Sequence, residues 1–247
     1  MTATLEGKTA LVTGAGAGIG EACARRLTSG GARVAIVDRD LPSAERVAGE
    51  LDGAVAIHAD VSDPAAVDAM VATVVDTLGK LDIAVNNAGI GGVRAPVAEQ
   101  TPESWREVLS VNLDGVFYCM RAEIPAMLGN GGGAIINIAS VLAFTGFAGS
   151  PHYVAAKHGV LGLTQNAALE YATQGIRVNA VAPGFIATPL LTANMNADEQ
   201  AAVGALHPQN RLGEPEEVAE VVAWLASDAA SFVNGSVYPV DGAYLAR

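Results

Sequence analysis

Residues Thr13-Gly14-Ala15-Gly16-Ala17-Gly18-Ile19-Gly20 form a T-G-x-x-x-G-x-G loop, and what flanks it decides the fold. Before it stands a short β-rich run, residues 8–13 (KTALVT). After it, over residues 19–29, apolar side chains recur at helical spacing. Strand, glycine loop, helix is an order suited to a pyrophosphate. Glycine permits the tight turn, lets the backbone approach the anion and lets the helix pack close to the sheet, while the helix N-terminus offers unpaired N–H groups. The spacing is not G-x-G-x-x-G, and a glycine-rich turn in a Gly- and Ala-rich chain is the plainer reading; the strand before and the helix after count against it.

Working outward, Gly30-Gly31 stops the first helix, and residues 32–38 (ARVAIVD) make a second short, β-branched run of the kind a strand buried on both faces shows. The pattern predicts a helix over 42–51, a strand over 54–59, a helix over 64–78 capped by Asp63, and a strand over 81–86. One long helix follows over 102–127, then a strand over 134–139, a helix over 151–171, a strand over 177–181, a helix over 215–225 and a last strand over 237–240. No repeat and no linker interrupts this alternation. It can close as a barrel or lie open, and the glycine loop favours the open form: a single α/β domain spanning 1–247, a Rossmann-type doubly wound parallel sheet with helices on both faces. In such a sheet the chemistry gathers where strands end and loops begin.

The composition narrows the setting. Of 247 residues 51% are hydrophobic, too many for disorder, yet no uninterrupted apolar run approaches the ~18 residues of a membrane span. The formal net charge of −12 and the lack of any Lys/Arg run disfavour nucleic acid and anionic membranes as partners. Residues 1–8 carry neither a basic region followed by an apolar block nor a cleavage site, so the expected location is cytoplasmic. Cys23 and Cys119 have no metal or redox spacing and fit buried roles in a reducing compartment. His58, His152, His158 and His207 form no ligand pattern, so no metal is expected. The sequon Asn234-Gly235-Ser236 reads as a turn before the last strand.

Asp38 closes the second strand at the distance from the glycine loop where an acid accepts hydrogen bonds from an adenosine ribose, or else caps the next helix. Its carboxylate would repel a 2′-phosphate, favouring NAD(H) over NADP(H), although Arg39 follows at once. Asp60 and Val61, ending the third strand, either flank an adenine or shape a turn with Asp63 and Pro64. Tyr153 and Lys157 are four apart on a helix and so share a face, with the ammonium placed to lower the phenol's pKa. Packing of a Lys stem along a Tyr ring is the ordinary account of such a pair. Ser140 ends the strand leading into that helix and lies on the same sheet edge.

Together the glycine loop, Asn86-Asn87-Ala88-Gly89, Asn112, Ser140, Tyr153-x-x-x-Lys157 and Pro183-Gly184, in this order over nearly the whole chain, resemble the short-chain dehydrogenase/reductase family. Residues 162–170 (GLTQNAALE), Gly184-Phe185-Ile186 and Val240-Asp241-Gly242-Ala243-Tyr244 are more narrowly similar to bacterial NAD-dependent secondary-alcohol dehydrogenases, or carbonyl reductases. The resemblance implies Tyr153 as general acid/base, Ser140 as hydrogen-bond donor to the substrate oxygen, and Lys157 binding the nicotinamide ribose. It implies Asn112 holding a water that links Lys157 to solvent, where the plain reading is a side chain satisfying a backbone group. Gly14, Gly18, Ile19, Gly20, Asn86, Asn87, Gly89, Pro183, Gly184, Ile186 and Thr188 are then cofactor contacts. Phe144, Phe147, Phe185, Leu190, Leu191 and Met195 line a pocket for a hydrophobic ketone or secondary alcohol, under a lid over about 188–212. The assembly implied is a homotetramer. Two rivals remain. One is a 3-oxoacyl-carrier-protein reductase, against which stand Asp38, Ala17 and the acidic surface. The other is a catalytically silent NAD-binding homologue, against which stands the intact Ser-Tyr-Lys set.

Overall fold

The computed structural model describes residues 4–193 and 195–247. In chain order the elements are β1 (Thr9–Thr13), α1 (Gly18–Ser29), β2 (Arg33–Asp38), α2 (Leu41–Gly49), β3 (Val55–His58), α3 (Pro64–Leu78), β4 (Ile83–Asn86), α4 (Pro102–Leu109), α5 (Gly115–Gly129) and β5 (Gly133–Ile138). They continue with α6 (Pro151–Tyr171), β6 (Ile176–Pro183), α7 (Pro189–Thr192), α8 (Ala197–Gly204), α9 (Pro215–Ala226) and β7 (Val237–Val240). The strands form one parallel sheet in the order β3-β2-β1-β4-β5-β6-β7. The order reverses between β1 and β4, so the loops leaving these neighbours part company and open a crevice at their carboxyl ends.

Side chains alternate across a strand, and both faces of this sheet are covered. From β1, Ala10 and Val12 pack with α1, α2 and α9, while Leu11 packs on the other side with α3, α5 and α6. Strand β2 splits likewise: Val34 and Ile36 to the first face, Ala35 and Val37 to the second. All of β1 and the four central residues of β2 are buried, which is why these stretches read as continuous apolar runs rather than alternating ones.

The helical stretch expected over about 102–127 is helical throughout, with an irregular turn at its centre. It is one rod in three parts, α4, a π-helical turn at Ser110–Asp114, and α5, which runs on through Pro125. A π turn adds a residue to the spiral without breaking it, so the apolar spacing shows no gap. Asp63 caps α3 as expected, accepting from the Ala65 N–H at 2.9 Å. The region expected as a lid contains α7 and α8 and includes Asn194, which lies outside the described residues. Its two ends are tied together: Ala187 N–H donates to Gly213 O at 2.8 Å and Gly213 N–H to Phe185 O at 3.0 Å.

Candidate active site

The loop between β1 and α1 turns on Gly14 (φ +62°) and Gly18 (φ +58°), left-handed positions that a side chain would strain. The loop is also too crowded for substitution. A Cβ on Gly14 would lie 2.9 Å from Ala88 Cα, and one on Gly20 would lie 2.1 Å from Gly14 O. Asn87 locks the arrangement, its Nδ2 donating to Thr13 O at 2.9 Å and Gly14 O at 3.0 Å. Thr13 Oγ1 answers by accepting from the Asn87 and Ala88 N–H groups. Ala17 precedes helix α1 at the N-cap position and has no polar side chain to cap it, so the first-turn N–H groups stay available toward the crevice.

That crevice is a cleft of about 220 Å³. Gly14, Gly18, Ile19, Asp38, Asp60, Val61, Asn87, Gly89, Thr188 and Leu190 all face it. Asp38 is fixed by two backbone donors, Gly16 N–H to Oδ2 at 2.9 Å and Asp40 N–H to Oδ1 at 3.0 Å. Asp60 both faces the cleft and shapes a turn. Its Oδ1 accepts from the Ser62 hydroxyl and N–H, and these bonds hold its carboxyl below the ordinary range.

Past Asn87, Gly89 and Thr188 the cleft opens into a second cavity of about 470 Å³. Ser140, Tyr153 and Lys157 line it together, with Pro183, Gly184, Ile186, Phe147, Phe185, Leu191 and Met195. Ser140 is delivered by the end of β5, Tyr153 and Lys157 by the first two turns of α6. Lys157 is buried and its Nζ donates to Ile138 O at 2.7 Å. Desolvation pulls its pKa down to about 8. Nζ lies 5.7 Å from the centre of the Tyr153 ring. The expected depression of the phenol is corrected here: burial pushes Tyr153 up, and the hydrogen-bonding Ser140 only partly pulls it back. Lys157 is turned toward a carbonyl rather than the phenol oxygen. An oxygen held between the Ser140 and Tyr153 hydroxyls can exchange a proton with the phenol.

Several expected site residues lie elsewhere. Asn86 is a correction: its side chain is 2% exposed and points into the interior, Nδ2 donating to Glu123 Oε2 at 3.1 Å and Asn137 Oδ1 at 3.0 Å. Phe144 is another, 48% exposed on the far side of a short 3-10 turn and absent from the cavity wall. Gly20 packs the loop instead of touching the cleft. Asn112, in the π turn, spends both ends of its amide on Ile90, accepting its N–H and donating to its carbonyl at 2.8 Å each. Its side chain thus satisfies backbone groups and positions the cleft loop.

Other participants carried no sequence signal. Arg94, Leu142, Ser150 and Val203 face the larger cavity. His207 is buried under the Pro183-Gly184 segment, its Nε2 accepting from the Phe185 N–H at 3.1 Å and its Nδ1 facing Arg211 O at 2.8 Å. A histidine without a nearby carboxylate in sequence gave no reason to place it there. Among the described residues no group of His, Cys, Asp and Glu could hold a metal ion, and no helix is long and apolar enough to cross a membrane.

A family model described as "Enoyl-(Acyl carrier protein) reductase" matches residues 14–244. The chain is 48% identical over 251 residues to a cyclohexanol dehydrogenase of Acinetobacter sp. (strain SE19), covering 100% of this chain and 98% of that one. It is 46% identical to a cis-4-hydroxycyclohexanecarboxylate dehydrogenase of Sinomonas cyclohexanicum, covering 97% of each. Among solved structures, a 3-ketoacyl-(acyl-carrier-protein) reductase from Brucella melitensis complexed with NADH superposes with a TM-score of 0.93 at 42% identity, over 98% of this chain and 99% of that one.

Proposed function

The chain belongs to the short-chain dehydrogenase/reductase family, oxidoreductases that act with a nicotinamide cofactor on CH–OH groups, and from that premise we propose that it interconverts a hydrophobic cyclic secondary alcohol and its ketone using NAD(H). One observation carries the reading: Ser140, Tyr153 and Lys157 share a cavity with an otherwise mainly apolar wall, and that cavity continues into the cleft that holds Asp38. The relatives named for cyclohexanol and hydroxycyclohexanecarboxylate point to the alicyclic class.

The residues present fit a dinucleotide. The uncapped N-terminus of α1 and the side-chain-free surfaces of Gly14 and Gly18 suit a pyrophosphate, and the fixed Asp38 carboxylate suits a free ribose 2′-hydroxyl while opposing a 2′-phosphate. When bound, the nicotinamide supplies the carbon that accepts or returns a hydride. In the oxidative direction the Tyr153 phenolate takes the alcohol proton as the carbinol C–H electrons leave, so the carbinol becomes a carbonyl. In reduction the phenol gives that proton back. Ser140 donates to the same oxygen and stabilises its developing charge. Lys157, charged below about pH 8, adds a positive field that favours phenolate, as does the charge of an oxidised nicotinamide. Asn112 keeps the Ile90 loop in register with the cleft.

The same reading treats 188–212 as a lid, hinged where Phe185 and Ala187 meet Gly213, that excludes water over the substrate. It places the enzyme in the reducing cytoplasm, where two buried free cysteines belong. A 3-oxoacyl thioester reductase is the second reading, favoured by the Brucella structure and opposed by the net charge of −12, which would repel an acidic carrier.

The test is a spectrophotometric assay with NADH and NADPH against alicyclic and aryl ketones, a 3-oxoacyl thioester and a keto sugar. Fast NADH-linked reduction of the alicyclic ketones is expected. Preference for the thioester with NADPH overturns both the substrate class and the role of Asp38. Binding of NADH with no turnover of any ketone favours the silent homologue.

A further inference from the structure

The larger cavity is lined by two cationic side chains and no acidic one, in a chain with 26 acidic residues against 14 basic. Lys157 is buried beside Tyr153 and committed to the Ile138 carbonyl. The other is Arg94, exposed at the cavity rim and, among the described residues, without an acidic partner.

Arg94 is held rather than loose. Its guanidinium carbon sits 5.0 Å over the Phe147 ring, and Nη2 donates to Ala148 O at 3.2 Å. The loop that carries it is pinned at two further points: Ala95 N–H donates to Gly149 O at 3.0 Å, and His152 Nε2 lies 3.1 Å from Val93 O. Gly149 lies on the segment leading into the helix that bears Tyr153, and His152 lies in the first turn of that helix. The cation is therefore fixed relative to the reacting oxygen through backbone and stacking contacts. A guanidinium so placed keeps a free edge of N–H donors, the planar fork that matches a carboxylate. One unpaired cation balances one negative charge, which suits a carboxylate better than a phosphate dianion.

We propose that Arg94 is a specificity residue that binds a carboxylate carried by the alcohol substrate at the end remote from its hydroxyl. The substrate class is thus a hydroxy-alicyclic acid: its apolar ring against Phe147, Phe185 and Leu191, its hydroxyl at Ser140 and Tyr153, its carboxylate at the rim. The inference rests on the proposed dehydrogenase reading for the hydroxyl and on Arg94 alone for the acid.

The test compares 4-hydroxycyclohexanecarboxylate with its methyl ester as substrates for NAD-linked oxidation, in the wild type and in Arg94→Gln and Arg94→Lys. The readout is the ratio of kcat/KM for acid over ester on each preparation, which cancels any misfolded fraction. The wild type is expected to favour the acid by about 10- to 100-fold through KM, a charge-assisted hydrogen bond's worth, with the ratio collapsing toward one in Arg94→Gln and partly restored in Arg94→Lys. A wild type indifferent to the acid, or a ratio that Arg94→Gln leaves unchanged, overturns the proposal. If neither compound is oxidised, the dehydrogenase reading fails for this class. The proposal is then decided by calorimetric binding of cyclohexanecarboxylate and cyclohexanecarboxamide to the protein with NADH. Tighter binding of the acid that is lost in Arg94→Gln upholds it, and equal binding of the two ligands overturns it.

Discussion

Tyr153 shows how much one oxygen is asked to do. Burial raises its pKa, the Ser140 hydroxyl pulls it back only in part, and Lys157 faces Ile138 O, so much of the push toward phenolate falls to the charge of the oxidised cofactor when bound. Removing the phenol oxygen and keeping the ring should then separate chemistry from binding. Tyr153→Phe is expected to cut turnover by about 100-fold or more while NADH affinity, read by fluorescence titration, stays near wild type; substantial residual turnover would move the acid/base role elsewhere. Asp38 is the matching residue for cofactor choice. Its two oxygens accept from Gly16 and Asp40, so its charge cannot swing out of the way of a 2′-phosphate. Asp38→Ser keeps an acceptor near Gly16 and removes the charge, and the NADPH/NADH ratio of kcat/KM should rise about tenfold or more, as relief of one close like-charge contact allows. An unchanged ratio would pass the role to another cleft residue.

At the level of elements, Glu123 on α5 lies beneath the site without facing it. It is fully buried, bonded through Oε2 to Asn86 of β4, and that amide also reaches Asn137 of β5, which donates in turn to Thr164 of α6 at 2.9 Å. Burial pushes the Glu123 carboxyl up to about 8. Its Oε1 and the Asn86 Oδ1 are both buried acceptors without donors, a shortage that a proton on Glu123 relieves. In the unfolded chain this carboxyl ionises near its ordinary 4.5. Between these values the folded chain keeps a proton that the unfolded one has lost, so stability falls as pH rises from about 4.5 to 8 and is flat outside that window. The slope approaches 1.4 kcal/mol per pH unit, at about that magnitude for one proton. Glu123→Gln should flatten the curve from denaturant unfolding and leave the variant more stable than wild type at pH 8; parallel curves would mean that Glu123 is ionised in the fold. Nothing in the sequence around Glu123 announces this. An acid within the 102–127 helical pattern reads as a solvated position, and the π turn before it shifts which residues of α5 face inward.

For the whole molecule, periodicity carried the architecture because the central strands are buried on both faces and every crossover is helical, leaving the chain little choice of layer. The Ser-Tyr-Lys set and the glycine loop were legible for a related reason, since strand ends and helix starts fix where they point. Asn86 and Phe144 were misplaced because order along the chain does not say which side of a strand end or loop a side chain takes. Arg94 was invisible because only the packing of two loops carries it to the cavity. A similar limit applies to assembly, which the family resemblance alone suggested as a homotetramer. Among the described residues the exposed large apolar side chains include Trp105 and Phe117 on α4 and α5, and Leu169 at the end of α6 with the fully exposed Phe232. The last two belong to one region, because Asn234 donates to Ala168 O at 3.4 Å. Dihedral assembly of four copies buries one surface for each of two kinds of twofold contact, whereas a simple dimer buries only one, and these two pairs of exposed side chains are the candidates we take for the two contacts. Light scattering should therefore give a mass near four times the chain's 25.0 kDa. Leu169→Asp with Phe232→Asp should leave dimers held by the α4 and α5 patch, and Trp105→Asp with Phe117→Asp should leave dimers held by the other. A monomeric wild type, or a tetramer that survives both double substitutions, would show that these patches do not build the assembly.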